Sequence, residues 1–182
     1  MRIWSVRQEQ SNRGGISLTT QARIAAVVTV SDGASSGHRE DHSGNLLQQL
    51  LEGAGFQVPY REVIPDEQQL IVSLLQRLCA MREVNLVITT GGTGVGPRDV
   101  TPEATLSVVE RVLPGMSEAM RMESLKQTPF AMTARQVVGT CQETLIVNLP
   151  GSPKAVEECF TVISPVLHHV IDLLQGNTRH SG

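Results

Sequence analysis

One stretch decides the fold of this chain: LVITTGGTGVGPRDVTPEA, residues 86–104. Its first five residues are apolar or β-branched, which is typical of a buried strand. The loop after them contains four glycines, Gly91, Gly92, Gly94 and Gly96. Because a loop without Cβ atoms lets backbone N–H groups approach an anion, this loop indicates a phosphate site. Asp99 comes next, and Thr101-Pro102 predicts the start of a helix with Thr101 as its N-cap.

The glycine loop matches neither of the two best-known phosphate signatures. G-x-x-x-x-G-K-[ST] would need Lys and Ser or Thr where Pro97 and Arg98 stand. G-x-G-x-x-G, which Gly92 and Gly94 begin, meets Pro97 at its last position, and this failure disfavours a nucleotide-dependent dehydrogenase. A glycine-rich connection that binds nothing is the alternative, although four glycines weaken a loop unless a ligand requires them.

Apolar periodicity along the rest of the chain predicts strands that alternate with helices. Strands are expected over 23–30, 57–64, 86–90, 136–141 and 144–149. Helices are expected over 44–54, 66–81, 102–112, 116–125 and 153–174, the last bent or broken at Pro165, with a short helical piece over 129–135. This alternation indicates an α/β fold, a three-layer α/β/α sandwich with a mostly parallel central sheet.

Size and composition bound the class of protein. With 182 residues, the chain is long enough for one domain, expected over 23–176, with a flexible tail at 1–22 and a short tail at 177–182. Aromatic residues make up 3% of the chain and the formal net charge is −3, so neither base stacking nor a basic surface favours nucleic acid as a partner. The sequence shows no signal peptide and no membrane-spanning run, and Cys79, Cys141 and Cys159 are expected to be buried thiols. These features predict a soluble, cytoplasmic protein.

Four loops are expected at the carboxyl ends of strands, where open α/β sheets bind their ligands. They span 31–43, 65–66, 91–101 and 148–152. Each ends at a residue that can cap a helix, namely Ser43, Asp66, Thr101 or Ser152. Because helix N-termini carry partial positive charge, their convergence on one edge favours an anionic ligand.

Two carboxylates on that edge, Asp66 and Asp99, would each repel a phosphate by about 4 kcal/mol per charge pair at ~4 Å. A divalent cation between acid and phosphate reverses the sign of this interaction, so Mg²⁺ is implied if both acids face the ligand. No Ser/His/Asp or Cys/His set with supporting context is present in the sequence. The residues alone therefore predict a Mg²⁺-dependent enzyme or binder of a phosphate-bearing small molecule.

Short motifs occur in a fixed order over about residues 23–175. They are Ser31-Asp32 with DHSG at 41–44, IPDE at 64–67, TTGGTG at 89–94, PRDVTPEAT at 97–105, MRMESLK at 120–126, TPFAM at 128–132 and NLPGSPK at 148–154. Together they resemble the molybdopterin adenylyltransferase family of molybdenum-cofactor biosynthesis, which includes the G domain of gephyrin. The resemblance implies a domain, usually a homotrimer, that joins AMP from Mg²⁺-ATP to the phosphate of molybdopterin and releases pyrophosphate. It also implies hand-over of the product to a molybdate-insertion protein.

By position, the resemblance implies roles for individual residues. Asp66 and Asp99 would be the catalytic acids that hold Mg²⁺. The nucleotide would be cradled by Gly91, Gly92, Thr93 and Gly94. Molybdopterin would be bound by Ser43, Ser124, Asn148, Gly151 and Ser152. The chain departs from many relatives at Ala134, where AMTAR stands in place of AMLSR and one hydroxyl is missing.

A non-catalytic molybdopterin-binding carrier or scaffold is the alternative from another functional class. The presence of both Asp66 and Asp99 favours chemistry. A passive binder of an anion gains nothing from added negative charge.

Overall fold

A computed structural model describes residues 23–177 of the chain. The strands are β1 (Arg23–Val30), β2 (Phe56–Ile64), β3 (Val84–Thr90), β4 (Arg111–Val112), β5 (Val138–Cys141) and β6 (Thr144–Leu149). They form one sheet in the order β2-β1-β3-β6-β5-β4. The first four strands of that order are parallel, whereas β5 is antiparallel to β6 and β4 is antiparallel to β5. The predicted mostly parallel sheet is confirmed; the tails predicted at 1–22 and 177–182 lie outside the described residues, apart from Asn177.

Helices cover both faces of the sheet. They are α1 (Asp32–Ser35), α2 (His42–Gly53), α3 (Gln68–Ala80), α4 (Thr101–Leu106), α5 (Pro114–Leu125) and α6 (Pro153–Leu174), with a 3₁₀ helix over Pro129–Thr133. Ala25 and Val27 of β1 pack with α2, α5 and α6, and Ala26 and Val28 pack with α3 and α4. Because successive side chains of a strand face opposite ways, β1 belongs to two cores. The three-layer α/β/α sandwich is thereby confirmed. In the described part of the chain, no helix combines the length and the apolar character needed to cross a membrane.

The predicted helix over 102–112 is wrong beyond Leu106, where α4 ends. Val108 and Val109 pack into the core that α3 and α4 cover, and β-branched side chains have low helix propensity. The Glu110 N–H then donates to the Thr140 carbonyl at 2.8 Å, which begins the pairing of β4 with β5. At Pro165, by contrast, the helix does not break, since α6 is one helix of 22 residues that includes Pro165. The three cysteines are buried free thiols, as predicted.

Of the four predicted helix caps, Ser152 is confirmed, because its Oγ accepts from the Ala155 N–H at 3.3 Å. The other three predictions, Ser43, Asp66 and Thr101, are wrong. The residues at those N-cap positions are Asp41, Glu67 and Val100. Asp66 and Thr101 do not cap because their side chains bind elsewhere, to the Asp32 N–H and to the Gly91 carbonyl.

The edges of the sheet differ from its centre. β2, at one edge, begins with the buried Phe56, then alternates between exposed and half-buried side chains and contains Pro59. β4, at the other edge, has two residues that are both exposed. The central strands β1, β3 and β6 are buried almost throughout. Thr29 pairs with Thr90, and Thr90 pairs with Leu149, so these three strands end side by side. The loops that follow them therefore meet at one end of the sheet.

Candidate active site

A cavity of about 520 Å³ opens at the carboxyl ends of the parallel strands. Most of the residues predicted for the site line it, namely Ser43, Asp66, Gly91, Gly92, Asp99, Gly151 and Ser152. They come from the loops after β1, β2, β3 and β6, which are far apart in the sequence. The rule that open α/β sheets bind ligands at this edge therefore located the cavity correctly.

The remaining predicted residues do not line the cavity. Thr93 and Gly94 belong to the glycine loop but lie beside the cavity wall rather than in it. Ser124 is buried between α5 and α6, where its hydroxyl lies 3.7 Å from Cys159 Sγ. Asn148 is fully buried. Binding of molybdopterin by Ser124 and Asn148 stays a prediction.

Asn148 joins three elements beneath the cavity. Its Nδ2 donates to Thr89 Oγ1 and to Thr105 Oγ1, both at 2.9 Å, and its Oδ1 accepts from the Val137 N–H at 3.2 Å. The side-chain amide thus uses both of its donor hydrogens inside the protein. In this geometry Asn148 fixes the end of β6 to β3 and α4, which places the loop that bears Gly151.

Steric constraints explain the first two glycines of the loop. Gly91 has φ +103° and Gly92 has φ +62°, which is the left-handed region. A Cβ at Gly91 would lie 2.2 Å from the Val30 carbonyl oxygen, and one at Gly92 would lie 2.4 Å from Thr101 Oγ1. Only glycine lets the chain leave β3 this close to β1 and α4.

The same loop presents backbone donors that have no acceptor within residues 23–177. Internal hydrogen bonds take up the N–H groups of Gly91, Gly96, Asp99 and Thr101. Among the described residues, no hydrogen bond takes up the N–H groups of Gly92, Thr93, Gly94 and Val95. Successive unpartnered N–H groups form an anion-binding concavity. The loop can therefore accept the oxygens of an anion, and binding of a nucleotide by Gly91, Gly92, Thr93 and Gly94 stays a prediction.

Asp66 and Asp99 each present a free carboxylate oxygen. Asp66 Oδ2 accepts from the Asp32 N–H at 2.8 Å, and Asp99 Oδ2 accepts from the Gly96 N–H at 2.8 Å. Within the described chain, neither Oδ1 atom has a hydrogen-bond donor. Burial, and then the neighbouring charges of Asp32 and Asp99, raise the pKa of Asp66. A position with this electrostatic character favours a cation.

The donor set fits Mg²⁺ better than a metal held by the protein alone. Residues 23–177 contain no group of three or more His, Cys, Asp or Glu side chains that could hold a metal. Mg²⁺ needs only one or two carboxylates when waters and substrate phosphates complete its octahedron. The free oxygens of Asp66 and Asp99, on the cavity that the glycine loop borders, meet that requirement.

Asp41 also lines the cavity and was missed as a site residue. Its Oδ1 accepts from the Gly44 N–H at 2.8 Å, and its Oδ2 accepts from Thr29 Oγ1 at 2.9 Å and from Arg61 Nη2 at 2.7 Å. Burial raises the pKa of Asp41, but these hydrogen bonds outweigh it, so the pKa lies below its ordinary value. Three residues before a helical glycine, Asp41 had the spacing of an N-cap, and that signal could have identified it.

Arg39 is a second residue that the sequence reasoning missed. It lines the cavity together with His42 and Glu40. In the described part of the chain its guanidinium has no ion pair, whereas Arg61 and Arg98 are paired with Asp41 and Asp32. Arg39 therefore brings a positive charge to a cavity that four carboxylates line, those of Glu40, Asp41, Asp66 and Asp99.

Comparison with known proteins bears on this geometry. Residues 26–169 match the family described as "Probable molybdopterin binding domain". The molybdopterin adenylyltransferase of Helicobacter pylori strain ATCC 700392 / 26695 is 44% identical over 156 residues, which cover 83% of this chain and 87% of that protein. The molybdopterin adenylyltransferase of Escherichia coli strain K12 is 44% identical over 135 residues, which cover 72% of this chain and 69% of that protein.

Solved structures agree in fold. The molybdopterin biosynthesis enzyme MoaB of Thermus thermophilus superposes with a TM-score of 0.79 at 40% identity, over 84% of this chain and 96% of that one. A molybdopterin biosynthesis protein of Mycobacterium abscessus superposes with a TM-score of 0.81 at 36% identity, over 86% of this chain and 98% of that one. The resemblance drawn from the motifs is confirmed, and the chain belongs to the molybdopterin-binding domain family of molybdenum-cofactor biosynthesis.

Proposed function

We propose that this protein transfers AMP from ATP to the phosphate of molybdopterin, which gives adenylyl-molybdopterin and pyrophosphate. One observation supports this most: Asp66 and Asp99, each with one carboxylate oxygen that has no donor among the described residues, lie on a cavity that Gly92 also lines. Gly92 is the first of four successive loop residues whose N–H groups have no acceptor in that part of the chain. Phosphoryl transfer relies on positioning and on charge stabilisation rather than on a protein nucleophile. The named activity of the similar bacterial enzymes points the same way.

The reaction needs no strong acid or base from the protein. The attacking oxygen belongs to a phosphate monoester, which is already an anion at neutral pH. It bonds to the α-phosphorus of ATP, the bond from that phosphorus to the bridging oxygen breaks, and pyrophosphate leaves with the electron pair. The N–H groups of residues 92–95 would hold phosphate oxygens in line for this displacement. Asp66 and Asp99 would hold Mg²⁺, whose charge offsets that of the triphosphate.

The proposal extends to the context of the reaction. We expect a homotrimer in the cytoplasm that passes adenylyl-molybdopterin to a molybdate-insertion protein, as the family resemblance implies. A carrier or scaffold without activity is disfavoured, because Asp66 and Asp99 would then place two negative charges beside a bound anion with no compensating benefit.

The decisive experiment supplies molybdopterin, ATP and Mg²⁺ to the purified protein and measures pyrophosphate. Asp66→Asn and Asp99→Asn keep the size of each side chain and remove its charge. We expect each to lower kcat at least about 100-fold while molybdopterin still binds. Glu118→Gln is the matched control, since Glu118 is an exposed acid on α5 outside the cavity, and it should keep the wild-type rate.

Two results would overturn the proposal. Wild-type protein that binds molybdopterin but releases no pyrophosphate would be a carrier. An Asp99→Asn variant with full activity would remove the assigned role of this acid. Chelation of Mg²⁺ with EDTA should stop the reaction, and activity that persists without a divalent cation would contradict the metal assignment.

A further inference from the structure

Arg135 makes more contacts to the glycine loop than its position in the sequence suggests. Its backbone N–H donates to the Thr93 carbonyl at 3.0 Å, and its Nε donates to the Gly94 carbonyl at 2.6 Å. Its Nη2 donates to the Asp99 carbonyl at 2.6 Å, and its Nη1 pairs with Glu103 Oε1. One residue from the segment before β5 thus binds both ends of the loop and the first turn of α4.

These bonds set the direction of the free N–H groups. In a trans peptide unit, the carbonyl oxygen of one residue and the N–H of the next point in opposite directions. Because Arg135 holds the Thr93 and Gly94 carbonyls on its own side, the N–H groups of Gly94 and Val95 are turned away from it. Both belong to the set of donors without an internal acceptor among the described residues.

The Arg135 guanidinium also holds the backbone of Asp99, one of the two acids proposed to bind Mg²⁺. The Asp99 carbonyl is held at one end of the planar fork and the Gly94 carbonyl at the other. The Asp99 carboxylate therefore keeps a constant position relative to the loop donors. Lysine could not replace this geometry, because a single ammonium has no rigid fork that reaches several carbonyls at once.

Arg135 is partly buried, and its side chain is not among those that line the cavity. It therefore acts on the loop rather than on a ligand. A neighbour provides a natural contrast: Arg121 Nε donates to the Ala134 carbonyl at 3.2 Å and so supports the same segment without touching the loop. Any effect specific to the loop should appear at Arg135 and not at Arg121.

We infer that Arg135 is a positioning residue for AMP transfer, which orients the Gly94 and Val95 N–H groups and Asp99 toward the nucleotide phosphates. This inference rests on the proposed function. It gives Arg135 a role in nucleotide binding that is separate from binding of molybdopterin.

The test compares Arg135→Lys, Arg135→Gln and Arg121→Gln with wild type. We expect both Arg135 variants to lower kcat about 10- to 100-fold and to weaken ATP binding, while KM for molybdopterin changes less than about 2-fold. Arg121→Gln should stay within about 2-fold in kcat. Added guanidinium should restore part of the activity of an Arg135→Ala variant. Wild-type kcat in Arg135→Lys would overturn the inference. So would a loss of kcat in Arg121→Gln equal to that in Arg135→Gln, together with no rescue of Arg135→Ala by guanidinium.

A second measurement separates this inference from the reaction itself. ATP should slow hydrogen exchange of the Gly94 and Val95 amides in the wild-type protein, and this protection should be lost in Arg135→Gln. The measurement needs no turnover, so absence of pyrophosphate release would end the proposed function without deciding the role of Arg135. Absence of ATP protection in wild type, or full protection in Arg135→Gln, would end the inference.

Discussion

Asp32 and Asp66 exchange hydrogen bonds. The Asp32 N–H donates to Asp66 Oδ2 at 2.8 Å, and the Asp66 N–H donates to Asp32 Oδ1 at 3.1 Å. Asp32 also accepts two bonds from Arg98, from Nε at 3.0 Å and from Nη2 at 2.8 Å. Since Arg98 precedes Asp99, one carboxylate connects the loops after β1, β2 and β3.

Substitution of Asp32 should therefore affect activity more than stability. Asp32→Ala removes the connection between the loops that bear Asp66 and Asp99, and we expect kcat to fall about 10-fold. The Arg98–Asp32 pair is exposed, and exposed pairs contribute about 0–1 kcal/mol, so unfolding in urea should change little. Glu62→Ala, which breaks the exposed Arg77–Glu62 pair away from the cavity, is the control. Equal kcat in both variants would refute this role of Asp32.

The charge on Asp66 should cost stability at neutral pH. Burial, followed by the charges of Asp32 and Asp99, raises its pKa in the folded protein. An acid whose folded pKa exceeds its unfolded pKa binds a proton more tightly when folded, so its ionisation lowers stability above the unfolded value of about 4. Asp66→Asn should raise Tm at pH 7 by about 1–2 °C and leave it unchanged near pH 3. A lower Tm at pH 7 would show that the sign is wrong.

Asp41 should behave in the opposite sense. Burial raises the pKa of Asp41, but the hydrogen bonds from Arg61, Gly44 and Thr29 lower it by more than burial raises it, so the net shift is downward. Its ionised form therefore adds stability at neutral pH, which is lost as the pH falls through the folded pKa. Asp41→Asn should destabilise by about 1–2 kcal/mol at pH 7 in urea unfolding, with a smaller difference at acidic pH. A deficit that does not shrink on acidification would indicate lost packing rather than lost charge.

The position of the cavity could be predicted from the sequence because it follows from local sequence patterns. The strands predicted at 57–64 and 86–90, each followed by polar or glycine residues, were enough to bring Asp66 and Asp99 to one edge. The strand order did not need to be known for this, since all parallel strands end on the same side of the sheet.

The parts that sequence reasoning missed depend on side chains that reach across long separations. Arg135 binds the carbonyl of a residue 41 positions earlier, and Asp32 binds an arginine 66 positions later. No periodicity records such pairs. The end of α4 was also missed, because the apolar spacing of Val108 and Val109 fits a helix as well as a chain that returns to the sheet edge.

Gly92 offers a direct test of the loop geometry. A methyl group at Gly92 would lie 2.4 Å from Thr101 Oγ1 and 3.0 Å from Asp66 Oδ1, at a φ of +62°. Gly92→Ala should therefore lower kcat at least about 100-fold and destabilise the protein by about 2 kcal/mol or more. Gly53→Ala, in α2, places its methyl group more than 4 Å from the atoms of neighbouring elements in the described residues and should stabilise by about 0.4–1 kcal/mol. Retention of wild-type activity by Gly92→Ala would refute the loop conformation.

Asn148 should prove important for folding. Asn148→Ala leaves the Thr89 and Thr105 hydroxyls and the Val137 N–H without their buried partner, which should cost about 2–4 kcal/mol in urea unfolding. Asn45→Ala, at an exposed position of α2, should change stability by less than about 0.5 kcal/mol. If Asn148→Ala weakened molybdopterin binding but left stability intact, the amide would serve the ligand rather than the fold.

The two ends of the sheet have a consequence for self-association. Pro59 cannot donate a hydrogen bond from β2, and β4 offers only Arg111 and Val112. Edge strands that are interrupted, charged or very short are poor templates for strand addition by a second molecule. Copies of this protein that meet in solution would therefore join through helical or loop surfaces, and their sheets would not merge into a continuous ribbon.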